Sequence, residues 1–191
     1  KIAFTPSEEI NNFNTEPKAP EQFRLPADSA SKIRVIEAFD GQLITHQVWA
    51  EPKIESGFIE SDVAQDVLKI TVVNRYENAE PAVAFIKNVG IQRGAIASSV
   101  GHDSHNIIAV GVDDESIARA VNLIIGAKGG VAAVDGDNEQ LLPLPVAGIM
   151  SAADGYEVAN AYSAIDRMSK EMGSKLASPF MTLSFMALLV I

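Results

Sequence analysis

The chain has 191 residues, 25 of them acidic and 15 basic, which gives a formal net charge of −10. This length is enough for a buried core and indicates one domain or two small ones. The acidic balance argues against nucleic-acid binding, because phosphate backbones require stripes of Lys and Arg. The chain has 0 cysteines, which excludes disulfides and thiolate metal ligands and fits a cytoplasmic location.

The apolar content of the sequence is high, with hydrophobic residues making up 47% of the chain. It indicates that part of the surface is covered by a partner or by another part of the same protein. The longest apolar run, residues 180–191, is too short to span a bilayer, so we expect no membrane segment. The chain starts at Lys1 without methionine and stops inside that run. We therefore expect a fragment with covalent neighbours at least on the amino-terminal side and truncation at the carboxyl end.

Residues 1–32 differ in composition from the rest. The segment favours irregular or extended backbone, and we predict a connector from an upstream domain. It holds four of the chain's nine prolines: Pro6, Pro17, Pro20 and Pro26.

Residues 33–75 form the β-rich part of the predicted domain 33–191. Two β-rich runs, 33–39 and 43–49, flank the turn dipeptide Asp40-Gly41 and predict a hairpin. A third strand is predicted over residues 67–73, where Lys69 and Thr71 alternate with apolar neighbours, and it would extend the same sheet.

Residues 76–191 predict a mixed α/β part. Short apolar runs between 82 and 112 are punctuated by glycines, as in strands joined by turns. A helix capped by Asp113 or Asp114 should carry one apolar stripe, and a second should begin at Asp154 and end at Gly173. The run 180–191 predicts a buried strand or helix. The predicted class is α+β, with an antiparallel β-hairpin region followed by mixed sheets packed with two or more helices.

Residues 98–106 hold the densest polar chemistry in the sequence, with His102 and His105 three positions apart around Asp103 and Ser104. Gly101 and Ser104 favour a turn in which the two imidazoles converge. Imidazoles beside a carboxylate can move protons near neutral pH or bind a divalent metal, although the spacing matches no standard zinc signature. The alternative is a loop whose Asp103 and Asn106 bond their own backbone and whose histidines are incidental.

The remaining polar residues predict structural roles. His46 falls in the hairpin strand, where a half-exposed cross-strand position explains it. A small acidic group after Gly57 reads as a solvated turn and not as a cation site. Ser98 and Ser99 could donate to a ligand, but neither lies in a nucleophile-elbow pattern. The acidic group is Glu60, Asp62 and Asp66.

Several blocks of the chain, in order, closely resemble the carboxyl-terminal domain of bacterial adenine deaminases, over roughly residues 32 to 191. The first is Gly90-x-x-x-Gly94 with Ala95–Ser99, which leads into His102-Asp103-Ser104-His105-Asn106. Gly101 departs from the family, which usually has alanine there. The other blocks are Arg34–Glu37 with Gly41–Thr45, Leu142–Ser151 and Pro179–Phe185.

This resemblance implies a metal-dependent amidohydrolase of purine salvage that converts adenine and water into hypoxanthine and ammonia. The divalent metal, Mn, Fe or Zn, would be held by an upstream barrel that this chain lacks, so we assign no metal ligand here. The fragment alone is expected to be inactive. In the whole enzyme it would complete a small β-rich domain and carry the loop of residues 102–106 to the mouth of the barrel.

Within that enzyme, we expect His102 and His105 to handle protons or contact the purine, with Asp103 orienting an imidazole or bonding a ring nitrogen. Ser98, Ser104 and Asn106 would support substrate binding by hydrogen bonds. The possibility that this loop binds a second metal stays open. Two alternatives remain: a structural domain that builds a homodimer or supports the barrel, and a lid that binds a purine-like effector.

Overall fold

The computed structural model describes residues 10–28 and 31–188. Predictions for residues 1–9, 29–30 and 189–191, including both chain ends, lie outside the described residues. The helices are α1 (Asp114–Ala127), α2 (Gly155–Glu171) and α3 (Pro179–Phe185). The strands are β1 (Leu25–Pro26), β2 (Ile33–Glu37), β3 (His46–Ala50), β4 (Lys53–Glu55), β5 (Phe58–Glu60), β6 (Val67–Val73), β7 (Ala82–Lys87), β8 (Ala95–Ser98), β9 (Ile107–Gly111), β10 (Gly130–Asp135) and β11 (Asn138–Pro143).

Eight of these strands form one mixed sheet in the order β11-β10-β8-β9-β6-β7-β2-β3. Within the described residues, β2 and β7 are its one parallel pair, and the other neighbours are antiparallel. Helix α1 packs on β8, β9 and β10, α2 on β10 and β11, and α3 on β8 and β9. The predicted α+β class is confirmed.

The central strands β8, β9 and β10 are buried on both faces, because α1 covers one face and the other two helices cover the opposite one. Side chains alternate between the two faces along each strand. In β8, Ala95 and Ala97 pack toward α1, while Ile96 belongs to the core under α2 and α3. Gly111 at the end of β9 lets α1 approach, since a Cβ there would lie 2.5 Å from Cγ1 of Ile117.

Both predicted long helices are confirmed, with their caps. The Asp113 carboxylate accepts a hydrogen bond from Ser116 N at 2.7 Å and begins α1. Asp154 accepts from the amide of Tyr156 at 2.9 Å and begins α2. The carboxyl-terminal apolar run is helical up to Phe185, as α3, and residues 186–188 form a turn after it.

The hairpin prediction is right in its pairing and in its turn, but the second strand begins later than predicted. β2 and β3 pair antiparallel from Ile33 opposite Ala50 to Glu37 opposite His46, and the chain turns at Asp40-Gly41, where Gln42 N donates to Phe39 O at 3.1 Å. The predicted run 43–49 starts before β3, so residues 38–45 form a longer connection. The Asp40 carboxylate accepts a hydrogen bond from Ala177 N at 3.0 Å, which ties this connection to the segment before α3. Strand β6 is confirmed in the same sheet, separated from the hairpin by β7.

A small second sheet, in the order β1-β5-β4, escaped the sequence prediction. Its hairpin turns at Ser56 and Gly57, which both have positive φ, at 51° and 85°. Such a pair suits the right-handed twist of a two-residue hairpin. The Ser-Gly dipeptide was the available signal.

The described part of residues 1–32 is mostly irregular, as predicted, yet it is packed onto the domain. Phe23 is fully buried in the core beside α1. The Asn122 side chain exchanges two hydrogen bonds with the main chain of Lys18, at 2.8 and 2.9 Å. This segment therefore belongs physically to the folded unit.

Lys69 in β6 is fully buried, with 0% of its surface exposed, although alternation placed it on a polar face. Its Nζ lies 2.8 Å from Glu60 Oε2 and 2.7 Å from Asp114 Oδ1. Burial raises the pKa of Asp114, and the Lys69 ammonium opposes that shift. The two carboxylates are what make a buried ammonium tolerable here.

Lys69→Ala should strongly destabilise the chain, because two partly buried carboxylates would face each other without a cation. We expect a loss of about 3–5 kcal/mol, the usual cost of removing one partner from a buried ion cluster. Urea denaturation monitored by circular dichroism measures it. The matched control is Lys170→Ala, which breaks an exposed pair with Asp166 and should cost no more than about 0.5 kcal/mol.

Candidate functional site

The polar loop of residues 99–106 joins β8 to β9, two neighbouring strands in the middle of the large sheet. Its entrance is fixed by Ser99, which is fully buried and whose Oγ donates to Gly148 O at 2.6 Å and accepts from Gly130 N at 2.8 Å. Farther along, the amide of His102 donates to Ser184 O in α3 at 3.0 Å. The loop is therefore held at both the sheet and α3.

Gly101, where the resembling family usually has alanine, is buried under this loop. Its carbonyl accepts the amide of His105 at 2.6 Å. An alanine Cβ would lie 3.2 Å from Asn106 O and 3.4 Å from Ala187 Cβ. The neighbours would need to move by only a few tenths of an ångström, so the difference is sterically small.

A cavity of about 550 Å³ opens beside the start of this loop, in the range typical of small-molecule sites. Its walls come from β8, β10, β11, α2 and α3, and they are mainly aliphatic and aromatic. The polar side chains on the walls are those of Ser98, His102, Tyr162 and Ser184. Its lining also includes Val100, Val131, Leu142, Leu144, Val158, Ala159, Phe180 and Met181.

His102 is the histidine that faces this cavity. Its imidazole stacks on Phe185 with 5.4 Å between ring centroids and meets the His105 ring edge-on at 5.8 Å. The ring is half-buried. Stacking on Phe185 thus fixes the orientation of the His102 ring, and part of the ring remains accessible from the cavity.

His105 lies against the loop and does not line the cavity. Its backbone is left-handed, with φ of 53°, and its Nδ1 is buried without a hydrogen-bond partner in the described chain. Burial is the main factor that lowers the pKa of His105, followed by the charges of His102 and Arg75, while Asp103 opposes the shift. A neutral imidazole at neutral pH is available to accept a proton.

The other candidate residues separate into two positions. Asp103 and Ser104 are exposed at the tip of the loop. The Asn106 side chain accepts from Arg75 N at 3.3 Å and donates to Ser104 Oγ at 3.3 Å, so it supports the loop from within. Ser98 is buried at the cavity wall, where its Oγ accepts from Val100 N at 3.0 Å.

Three neighbours of the loop and the cavity were missed from the sequence. Arg75 and Tyr76 follow β6 and reach the loop, with Tyr76 OH donating to Ser104 O at 2.7 Å. Tyr162 presents its ring to the cavity, and burial raises its pKa. An Arg-Tyr pair one residue after an apolar strand was the available signal for Arg75 and Tyr76.

The remaining polar candidates lie away from the loop. His46, predicted to be half-exposed, is exposed on edge strand β3, with Nδ1 3.6 Å from Glu37 Oε2. The acidic group was predicted as a solvated turn but makes specific contacts: Glu60 pairs with Lys69, Asp62 caps the short 3-10 turn Val63–Gln65, and Asp66 accepts from Gly90 N at 2.9 Å.

Among residues 10–28 and 31–188, no group of three or more His, Asp or Glu side chains is arranged to hold a metal ion. The loop histidines and Asp103 do not form such a group. In the same residues, no helix has both the length and the apolarity needed to cross a bilayer.

The fold is an α+β domain with an apolar cavity beside a loop that carries two histidines, and comparison with known proteins gives its family. The model of the adenine deaminase C-terminal domain matches residues 42–191. The chain belongs to this family.

Several relatives named adenine deaminase match most of the chain. That from Sulfurovum sp. (strain NBC37-1) is 53% identical over 95% of this chain and 32% of its own length. That from Methanosarcina barkeri is 51% identical over 86% of the chain and 30% of its own length. That from Salinibacter ruber is 46% identical over 100% and 35%. The chain thus spans about a third of these relatives.

Ser99 and Ser98 should differ sharply in their contribution to stability. Ser99→Ala leaves the buried Gly130 N–H and Gly148 carbonyl without their partner and should cost about 1–3 kcal/mol. Ser98→Ala removes one acceptor at the cavity wall and should cost no more than about 1 kcal/mol. Parallel urea titrations compare the two. Equal losses would contradict the anchoring role of Ser99.

The lowered pKa of His105 predicts a stability that depends on pH. The unfolded chain binds a proton near the ordinary histidine pKa of about 6.5, whereas folded His105 does so only at lower pH. Stability from this group is present above the ordinary pKa and is lost as pH falls toward the folded pKa. Thermal melts between pH 8 and pH 5 should show a shallower acid-side decline for His105→Gln than for the wild type. Parallel declines would contradict the prediction.

Proposed function

We propose that this chain is part of an adenine deaminase, a hydrolase, and that the loop of residues 102–106 lies at the mouth of its active site. The observation that carries the proposal is the family membership, supported by relatives of about 50% identity that bear this name. The cavity beside His102 adds a physical reason, since about 550 Å³ of mainly apolar space accommodates a flat heterocycle. The substrate is adenine.

The proposed reaction needs proton transfers that the loop residues suit. The oxygen of water bonds to the ring carbon that carries the amine, and the bond from that carbon to the amine nitrogen breaks. One proton of the water moves to the neighbouring ring nitrogen, and the other leaves with the amine as ammonia. A neutral imidazole accepts a proton and an imidazolium returns it.

We assign these roles by position. His102, at the cavity wall, contacts the purine or hands on a proton, and His105 behind it acts as its proton partner. Asp103 at the loop tip orients an imidazole or bonds a ring nitrogen. Ser98 supports the ligand from the cavity wall, and Ser104 and Asn106 do so from the loop. These assignments rest on the cavity lining, the 5.8 Å separation of the two rings and the pKa of His105.

The metal of the proposed enzyme lies outside this chain. We propose a divalent ion, Mn, Fe or Zn, in an upstream amidohydrolase barrel of the same protein, where it would activate the attacking water. Support comes from the share of the relatives that this chain covers, about a third. It follows that the chain alone is inactive, and we place the intact enzyme in cytoplasmic purine salvage.

An interaction role is the second candidate, favoured by one observation. Leu43, Ile44 and Trp49 expose large apolar side chains at β3, the edge strand of the large sheet, and Trp49 is 61% exposed. This surface suits a second copy of the chain, which would make a homodimer, or the barrel itself. The effector-lid alternative would instead use the cavity without any catalytic residue.

His102→Ala and His105→Ala, each made in the intact protein, should lower turnover of adenine by about 100-fold or more, the usual contribution of a proton-transferring group. Coupled detection of ammonia and hypoxanthine measures it, and circular dichroism confirms the fold. His46→Ala is the matched control, since His46 lies on the far edge of the sheet, and it should retain full turnover. Full activity of both loop variants would exclude the catalytic role and favour the interaction domain.

A further inference from the structure

Arg75 is buried beside the loop without a carboxylate partner in the described residues. It is 5% exposed, and no ion pair there includes it. Its guanidinium lies 4.8 Å from the ring centroid of Tyr76 and 5.7 Å from that of Phe13. A buried cation normally carries a charged partner, so the position of Arg75 needs another explanation.

The guanidinium is fixed by hydrogen bonds to neutral groups. Nη1 donates to Ala147 O at 2.7 Å, and Nη2 donates to Tyr76 OH at 3.0 Å. Gly148 packs directly against it, because a Cβ at that position would overlap Nη1. The side chain therefore has one geometry, in contact with the segment that also anchors Ser99 through Gly148 O.

Arg75 and Tyr76 together contact the loop of residues 102–106 from one side. The amide of Arg75 donates to Asn106 Oδ1 at 3.3 Å, which fixes the end of the loop. Tyr76 OH, itself bonded by the guanidinium, donates to Ser104 O at 2.7 Å, which fixes the residue before His105. The chain of contacts runs from Arg75 to both flanks of His105.

We propose that Arg75 is a positioning residue for the loop of residues 102–106. Its guanidinium sets the orientation of His105 through Tyr76 OH, while its main-chain amide holds Asn106. The catalytic meaning of this orientation rests on the proposed function. Burial is the main cause of the lowered pKa of His105, and the charges of His102 and Arg75 add to it, while Asp103 acts in the opposite direction.

Histidine titration by NMR tests the proposal on this chain, whose three histidines make ring signals assignable by substitution. Arg75→Met removes the charge and the two guanidinium hydrogen bonds but keeps the amide bond to Asn106, and it should raise the titration midpoint of His105 and shift the ring signals of His102. Arg75→Lys keeps the charge and should hold the midpoint near the wild-type value. Arg119→Met is the matched control, because Arg119 pairs with Glu139 on the opposite side of the sheet, and it should change neither. An unchanged His105 titration in Arg75→Met overturns the proposal.

Tyr76→Phe provides the second test should Arg75→Met fail to fold. It removes only the hydroxyl that joins the guanidinium to Ser104 O, and the ring still covers Arg75. The amide of His105, bonded to Gly101 O, should exchange with solvent at least tenfold faster, while amides of β10 keep their protection. Unchanged exchange at His105 contradicts the positioning role.

Activity of the intact protein separates this proposal from the one on which it rests. Arg75→Met should lower kcat at least tenfold with little change in KM, and Arg75→Lys should recover part of the loss. A shifted His105 titration with undiminished kcat supports the positioning role and overturns the catalytic role of the loop. A loss of kcat with an unmoved His105 titration overturns the positioning role.

Discussion

Burial of the central strands on both faces is the constraint on which the candidate site depends. β8 and β9 lie between α1 and α3, so neither strand can shift without opening a core on both sides. In β8 the small side chains of Ala95 and Ala97 face α1, and the larger Ile96 faces the core under α2 and α3. The loop between these strands therefore leaves from two fixed points only a strand separation apart, and its polar side chains inherit that rigidity.

Several groups that take no part in the proposed chemistry also hold the loop in place. Ser99 clamps its entrance to Gly130 and Gly148, Phe185 supports the His102 ring, and Tyr76 holds Ser104. Each contact comes from a different part of the chain. Such long-range support is what distinguishes a built site from a solvated turn, and it explains how a run rich in polar residues stays ordered at the edge of an apolar cavity.

Local patterns predicted the parts of the fold that are encoded locally. The caps at Asp113 and Asp154 and the apolar stripes predicted α1 and α2, and the run from Val67 to Val73 predicted β6. The turn at Asp40-Gly41 follows the same rule, although β3 begins at His46, later than its run predicted. The burial of Lys69 escaped prediction, because its two carboxylates come from a different strand and from α1.

For the candidate site, too, the sequence predicted what is encoded locally and missed what depends on distant contacts. Residue types and clustering identified the loop of residues 98–106. They could not tell which imidazole faces the cavity, because this depends on α2 packing on β10 and β11 and on α3 packing on β8 and β9. Arg75 shows the limit most clearly, because its contacts with Ala147 and Asn106 join distant parts of the chain. Family resemblance supplied the identity, and only three-dimensional packing supplied the arrangement.

The attachment of the β2–β3 hairpin has a kinetic consequence. It joins the rest of the sheet through the parallel pairing with β7, which covers three residue pairs, Val35 with Phe85, Ile36 with Ile86 and Glu37 with Lys87. A short parallel seam at a sheet edge is a weak boundary for cooperative opening, so we expect this hairpin to open as a separate unit in hydrogen exchange. Such opening should leave the paired strands around the loop undisturbed.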